Sequence, residues 1–324
     1  MRKSLLVTLL LFAATTLFAQ QVMVATLSHA GNVSVFYGTT ALTSAVNAAQ
    51  DGDTIHLSPD VFTATDITKG LVIRGAGAFT TEKTVINGDF TVNIADSTQS
   101  FEMEGIYASQ ISLDGTPAKI TITRCNCNYL EMKYGFSCDR ASIINTYVRQ
   151  TLYQRGDIAS GTIFAINSFI GGFQWEINSQ FNLYALNCVI RDNEYGDYND
   201  TFTFVNSIIY KENYTYGYFS ADHCIFIHTG YEPPMSGSHT QQCTVLPYSD
   251  VFTTFTGTYT EEETFELTGS GASFLGTDGT QVGIYGGLVP YNPAPAYPLI
   301  ATMNVGSKSG ADGTLTVEVQ LSNP

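Results

Sequence analysis

Ile144-Asn-Thr146, Ile166-Asn-Ser168, Leu186-Asn-Cys188 and Val205-Asn-Ser207 repeat one short pattern: an apolar residue, an asparagine and a small residue. Ile122-Thr-Arg-Cys125 and Asp222-His-Cys224 extend it, with Glu104-Gly105 and Gln242-Cys243 at its two ends. The second member of each pair forms a column, Gly105, Cys125, Thr146, Ser168, Cys188, Ser207, Cys224 and Cys243, whose steps run from 17 to 22 residues. A period near twenty with a small residue at every return marks a tight bend stacked level upon level. Asn at 145, 167, 187 and 206 suits a left-handed backbone position. Its amide can also bond the equivalent amide on the next level.

Working outward from the bends, the flanking runs are short and rich in β-branched and aromatic residues, as in Phe202, Phe204 and Val205 before one bend and Ile208 and Ile209 after it. They are too short for helices and carry strand-forming residues. One turn of about twenty residues per repeat predicts a parallel β-solenoid. Upstream, Leu42, Ala45, Val46 and Ala49 follow helical spacing, Asp51-Gly-Asp53 stops that pattern, and Thr54 to Leu57 reads as the first strand. Such a helix would cover the open end of the solenoid.

Leu42-Thr-Ser-Ala-Val46, Ala49-Gln-Asp-Gly-Asp-Thr-Ile-His-Leu57, Val72-Ile-Arg-Gly-Ala-Gly77 and Thr84-Val-Ile-Asn-Gly88 together resemble the opening of pectate-lyase-like right-handed parallel β-helices. Phe204-Val-Asn-Ser-Ile-Ile209 and Ala165-Ile-Asn-Ser-Phe-Ile170 resemble the coil repeat of that superfamily, so the resemblance runs over residues 36 to 285. It implies an all-β fold: a single-stranded right-handed parallel β-helix (solenoid) with an N-terminal capping helix. The superfamily holds polysaccharide lyases, glycosidases and adhesins, so the fold alone assigns no task. No catalytic motif of the pectate lyases is matched residue by residue.

Composition narrows the partners. The 324 residues are 44% hydrophobic and only 13% charged, which excludes a disordered acidic polymer. Fourteen Lys and Arg against 29 Asp and Glu, a net −15, argue against nucleic acid and anionic membrane surfaces. Arg2 and Lys3 before the apolar run Leu5 to Ala19 read as a secretory signal peptide cut after Ala19, and no later segment is apolar enough to span a bilayer. The expected organisation is a signal peptide over 1–19, a β-helix domain over 20–289, and a Pro-rich connector with a short β tail over 290–324. The mature chain is therefore expected to be secreted or held at the cell surface.

Eight residues past each ladder position stand Met132, Tyr153, Trp175, Tyr195, Tyr214 and Tyr231. Their polar neighbours Glu131, Lys133, Gln174, Glu176 and Glu194 favour an internal aromatic stack by alternation. The alternative is an outward platform for sugar rings, in which Trp175, Glu176, Tyr195, Tyr198, Tyr216 and Tyr218 would bind carbohydrate. Glu176 and Glu194 fall on adjacent turns, roughly 8 Å apart by strand geometry, within the range for an inverting glycosidase pair. Asp192, Glu194, Asp197 and Asp200 offer oxygen ligands of the kind Ca²⁺ takes, without the pattern of an EF-hand. Arg191, in one column with Arg149 and Gly171, would supply the base of a lyase-like site with Asp192 and Glu194.

The five histidines have no metal spacing, and Cys125, Cys188, Cys224 and Cys243 in the small-residue column read as buried free thiols. Only Cys224 and Cys243 fall on adjacent turns. No cofactor beyond calcium is expected. The leading expectation is a non-catalytic carbohydrate-binding or structural surface protein, with a polysaccharide as partner. The alternatives are a polysaccharide lyase or inverting glycoside hydrolase built on Glu176, Arg191 and Glu194, and an adhesin.

Overall fold

The computed structural model describes residues 23–79, 82–155, 160–175, 180–191, 201–210, 219–227, 240–254, 263–294, 299–305 and 317–322. The leader read at 1–19 lies outside them. The chain alternates between a twelve-stranded and an eleven-stranded sheet, each strand pairing with the one from the turn before and the turn after. Thr54–Leu57, Val72–Arg74, Ser100–Glu104, Lys119–Thr123, Ser137–Ile144, Ser160–Ile166, Gln180–Leu186 and Thr201–Val205 run parallel in the first sheet. Val61–Thr63, Thr84–Ile94, Ile106–Gly115, Asn126–Met132 and Tyr147–Gln154 run parallel in the second. The protein is a parallel β-solenoid, as the repeat predicts.

The bends explain the period. Arg124, Asn145, Asn167, Asn187, Asn206, His223 and Gln242 all have φ between 46° and 53°, at the positions where the repeat places its asparagines. This region costs most residues energy, and Asn tolerates it best after Gly. Gly105, at φ 67°, takes the same left-handed place, because Glu104 pairs with Thr123. The sequence alignment that put Gly105 beside Cys125 is therefore one residue out. Ile106 fills the small-residue position, and Gly75 makes room for it: a Cβ there would lie 2.7 Å from Ile106 Cγ1.

The small column has a hydrogen-bonding reason. Thr146 Oγ1 donates to Ile144 O at 2.9 Å and accepts from Cys125 N at 3.2 Å. Ser168 Oγ donates to Ile166 O at 2.8 Å and accepts from Thr146 N at 3.1 Å. Ser207 repeats the arrangement with Val205 O and Cys188 N. Each hydroxyl thus satisfies one buried backbone N–H of the preceding turn and one carbonyl of its own.

Inside, one column of the twelve-stranded sheet reads Ile55, Ile73, Met103, Ile122, Ile143, Ala165, Ala185, Phe204 and Ala221, all buried. Facing it, the eleven-stranded sheet stacks Ile86, Ala108, Cys127, Val148, Ile170, Ile190, Ile209 and Phe226. The predicted helix forms over Ala41–Ala48 and buries Ala41, Leu42, Ala45 and Val46 in this core. Thr54–Leu57 is not the first strand, however. Val24–His29 pairs with it antiparallel and forms a hairpin with Asn32–Tyr37, so the sheet begins with reversed strands.

After the last turn the chain returns along the outside of the bends. Residues 263–294 form this strap, and its Phe265, Val282 and Ile284 pack on Tyr147, Phe169, Val189, Ile208 and Ile225, the outward neighbours of the core column. Phe265 stacks on Phe169 with ring centroids 4.6 Å apart, and Tyr291 stacks on Tyr147 at 5.0 Å. Asn206 Oδ1 accepts from Thr277 N at 2.9 Å, and Arg124 Nε donates to Asn292 O at 3.2 Å. Leu299–Val305 and Val317–Ser322 pair antiparallel with each other. Among the described residues no helix is long and apolar enough to cross a membrane.

Candidate functional site

Outward residues of the eleven-stranded sheet line up in rows across the turns. One row is Asp89, Gln110, Tyr129 and Thr151; the next is Thr91, Ser112, Glu131, Tyr153 and Gln174. Alternation along a strand sets this, since Leu130 and Met132 on either side of Glu131 enter the core. A bulge sets which residues meet. Between Cys127 and Tyr129 the register shifts, because Tyr147–Gln154 holds one residue more than its neighbour over this interval. Bulges of this kind re-aim side chains beside sites.

The shift overturns the aromatic column. Tyr153 lies over Glu131, not over Met132, and it is half-buried on the outer face. The register position beside Met132 belongs to Gln154, which is fully buried, and then to Trp175. An internal stack containing Met132 and Tyr153 is therefore excluded, since neighbours one residue apart on a strand point to opposite faces.

Gln110, Tyr129, Glu131, Thr151, Tyr153, Arg155 and Gln174 line an outer pocket of about 310 Å³. Its floor is Glu131, only 5% exposed although it lies on the outside of the sheet. A carboxylate removed from water needs partners. Glu131 Oε2 accepts from Gln110 Nε2 at 2.8 Å and from Ser112 Oγ at 3.0 Å, while Oε1 takes the Nε–H of Arg155. The Arg155 guanidinium also rests 5.1 Å from the Tyr153 ring centroid. One charge-assisted pair and a cation–π contact thus hold the wall of the pocket.

Farther along the same face, Arg149 Nη2 donates to Tyr107 OH at 2.6 Å, and Lys83 Nζ lies 4.7 Å from the Tyr107 ring centroid. Arg149, Gly171 and Arg191 do share a column: Gly171 N donates to Val148 O at 2.8 Å and Arg191 N to Ile170 O at 2.9 Å. Arg191 is half-buried. Glu176, Asp192, Glu194, Tyr195, Asp197, Tyr198, Asp200, Tyr216 and Tyr218 lie outside the described residues, and of Trp175 only the backbone, in the strand Phe173–Trp175, is described. No group of three or more His, Cys, Asp or Glu able to hold a metal occurs among the described residues.

The groove was missed in the sequence because its members are 64 residues apart at the extremes, Gln110 to Gln174, and meet only through register. Compared with known proteins, the chain matches no family model, no curated protein and no solved structure.

Proposed function

We propose that the protein is a non-catalytic carbohydrate-binding solenoid of the pectate-lyase-like kind, exported through its leader, and that the groove over Glu131 receives an extended glycan. The lining supports this reading. Tyr129 and Tyr153 offer ring surface to the C–H side of a sugar. Gln110, Thr151 and Gln174 offer amides and a hydroxyl to its hydroxyl groups. A solenoid also presents such a surface continuously along its length.

The observation that carries the non-catalytic reading is the engagement of Glu131. Both of its oxygens are taken by Arg155, Gln110 and Ser112, so it organises donors around the pocket. Most glycoside hydrolases use two carboxylates flanking the bond, and Glu131 is the single acid in this lining among the described residues.

The test is a glycan array with the wild-type protein and Tyr153→Ala, alongside a panel of neutral and acidic polysaccharides with and without Ca²⁺. Retention that falls tenfold or more in Tyr153→Ala, with no new reducing ends or unsaturated products, is the expected result. Turnover abolished by Glu131→Gln would instead make the groove an active site. Retention unchanged by Tyr153→Ala would remove it as the binding surface.

A further inference from the structure

We infer that Cys224 and Cys243 form a redox couple that closes into a disulfide and staples the last turn of the solenoid. The two follow one another in the small-residue column, bracketed by the pairs Asp222↔Gln241 and Ile225↔Thr244. In-register neighbours in a parallel sheet lie ~4.8 Å apart, inside the ~4.4–6.8 Å span of Cα separations that disulfides adopt. Cys224 N already donates to Cys243 Sγ at 3.4 Å, so the second sulfur sits against the first residue's backbone. None of the other cysteines has such a neighbour: Cys125 stands between Ile106 and Thr146, Cys188 between Ser168 and Ser207, Cys127 between Ala108 and Val148, and Cys138 beside Gly161.

The location gives the bond a purpose. Thr240–Gln241 and Thr244–Leu246 end their sheets and pair on one side only among the described strands. Cys243 is half-buried whereas Cys224 is fully buried, so an oxidant reaches Cys243 first. The side-chain hydrogen bond with Cys224, helped by the Cys224 backbone N–H, draws the Cys243 thiol below its ordinary value, and burial pushes Cys224 upward. Cys243 is thus the attacking thiolate and Cys224 the resolving thiol.

The oxidant is a low-molecular-weight disulfide of the glutathione class. The Cys243 thiolate attacks one of its sulfurs, the S–S bond breaks and one glutathione thiolate leaves. Cys224 then loses its proton and attacks the Cys243 sulfur, and the second glutathione thiolate leaves. Two cysteine thiols are oxidised and one glutathione disulfide is reduced to two thiols.

The full chain would be incubated with glutathione disulfide, alkylated and digested unreduced with chymotrypsin, which cuts after Phe226 between the two cysteines. The expected results are a Cys224–Cys243 linked peptide and the loss of two of the six titratable thiols. The backbone amides of residues 240–246 should also exchange more slowly. Cys224→Ser should instead accumulate a stable glutathione adduct on Cys243. Six thiols left intact, a linkage between other cysteines, or a wild-type adduct on Cys243 that never resolves would each overturn the inference.

Discussion

Asn167 gives both hydrogens of its side-chain amide to the returning strap, bonding Ile284 O at 2.9 Å and Gly286 O at 2.7 Å. The ladder asparagine therefore does two jobs: it holds the left-handed bend, and it ties the strap to the solenoid. Asn167 therefore has no side-chain hydrogen left to give to a neighbouring ladder asparagine. Asn167→Gly separates the two jobs, since Gly adopts φ near 46° freely but offers no amide. It should cost about 2 kcal/mol, about 1 for each bond. Hydrogen exchange at residues 276–287 should accelerate, while the amides of the strand Ser160–Ile166 keep their protection relative to one another.

Phe265 is the strap's main apolar anchor, 1% exposed against Phe169, Tyr147 and Phe252. Removing its ring should cost about 3–5 kcal/mol, the range for a buried Phe→Ala change. The variant should also uncover Phe169, Val189 and Ile208, and contiguous apolar surface of that kind drives association. Urea unfolding followed by light scattering would read both effects; a soluble variant of unchanged midpoint would mean that the strap contributes little.

Gly171 sits where a Cβ would lie 2.1 Å from Arg149 O, so Gly171→Ala must separate the backbones of two turns. Overpacking of this type costs about 1–3 kcal/mol. The displaced neighbours include the pair Leu152↔Phe173, two residues on from Gly171, and therefore the Tyr153 and Gln174 side of the groove. The expected result is a lowered urea midpoint together with weakened glycan retention. Retention kept at full strength would show that the groove does not depend on this close approach.

What the sequence made legible is the part set by local backbone geometry. Every non-glycine left-handed position among the described residues from Arg124 to Gln242 follows from the Asn-small ladder, because a bend needs particular residues wherever it occurs. What it hid depends on register and on distant chain. The bulge in Tyr147–Gln154 moves Tyr153 out of the Met132 column, and counting residues cannot detect one inserted position. The strap did leave a trace. Phe169-Ile170, Val189-Ile190, Ile208-Ile209 and Ile225-Phe226 are apolar doublets, and two successive apolar residues in a strand mean that both faces are buried. The core accounts for one face, so a second covering element is implied; its identity is not.

The Glu131–Arg155 pair offers a test of how the groove is held. The Arg155 side chain is 58% exposed while the Glu131 side chain is only 7% exposed, so the pair is screened from one side and should be worth about 1 kcal/mol. Arg155→Ala leaves the carboxylate with Gln110 and Ser112 alone. In a Glu131→Gln background the same change should matter less, since a neutral amide does not need the cation. A double-mutant cycle in urea should return a coupling of about 1 kcal/mol, and a coupling near zero would make the ion pair incidental.

Buried thiols make the fold sensitive to alkali. Burial pushes Cys125 and Cys188 up from 9.0 to about 12 and raises Cys127 as well. Below the unfolded value near 9.0 both states hold these protons, and the thiols contribute no pH dependence. Above it the unfolded chain loses protons that the native state keeps, so ν_U − ν_N is negative and stability falls as pH rises toward the folded values. Each fully ionised thiol should add a slope of about 1.4 kcal/mol per pH unit. Urea midpoints measured between about pH 8 and about pH 10.5 should therefore decline. Cys188→Ser isolates one proton without disturbing the column, because Ser168 and Ser207 occupy the equivalent places one turn away on either side. Its decline should be shallower by one thiol's share; an unchanged slope would mean that the Cys188 thiol ionises alike in both states.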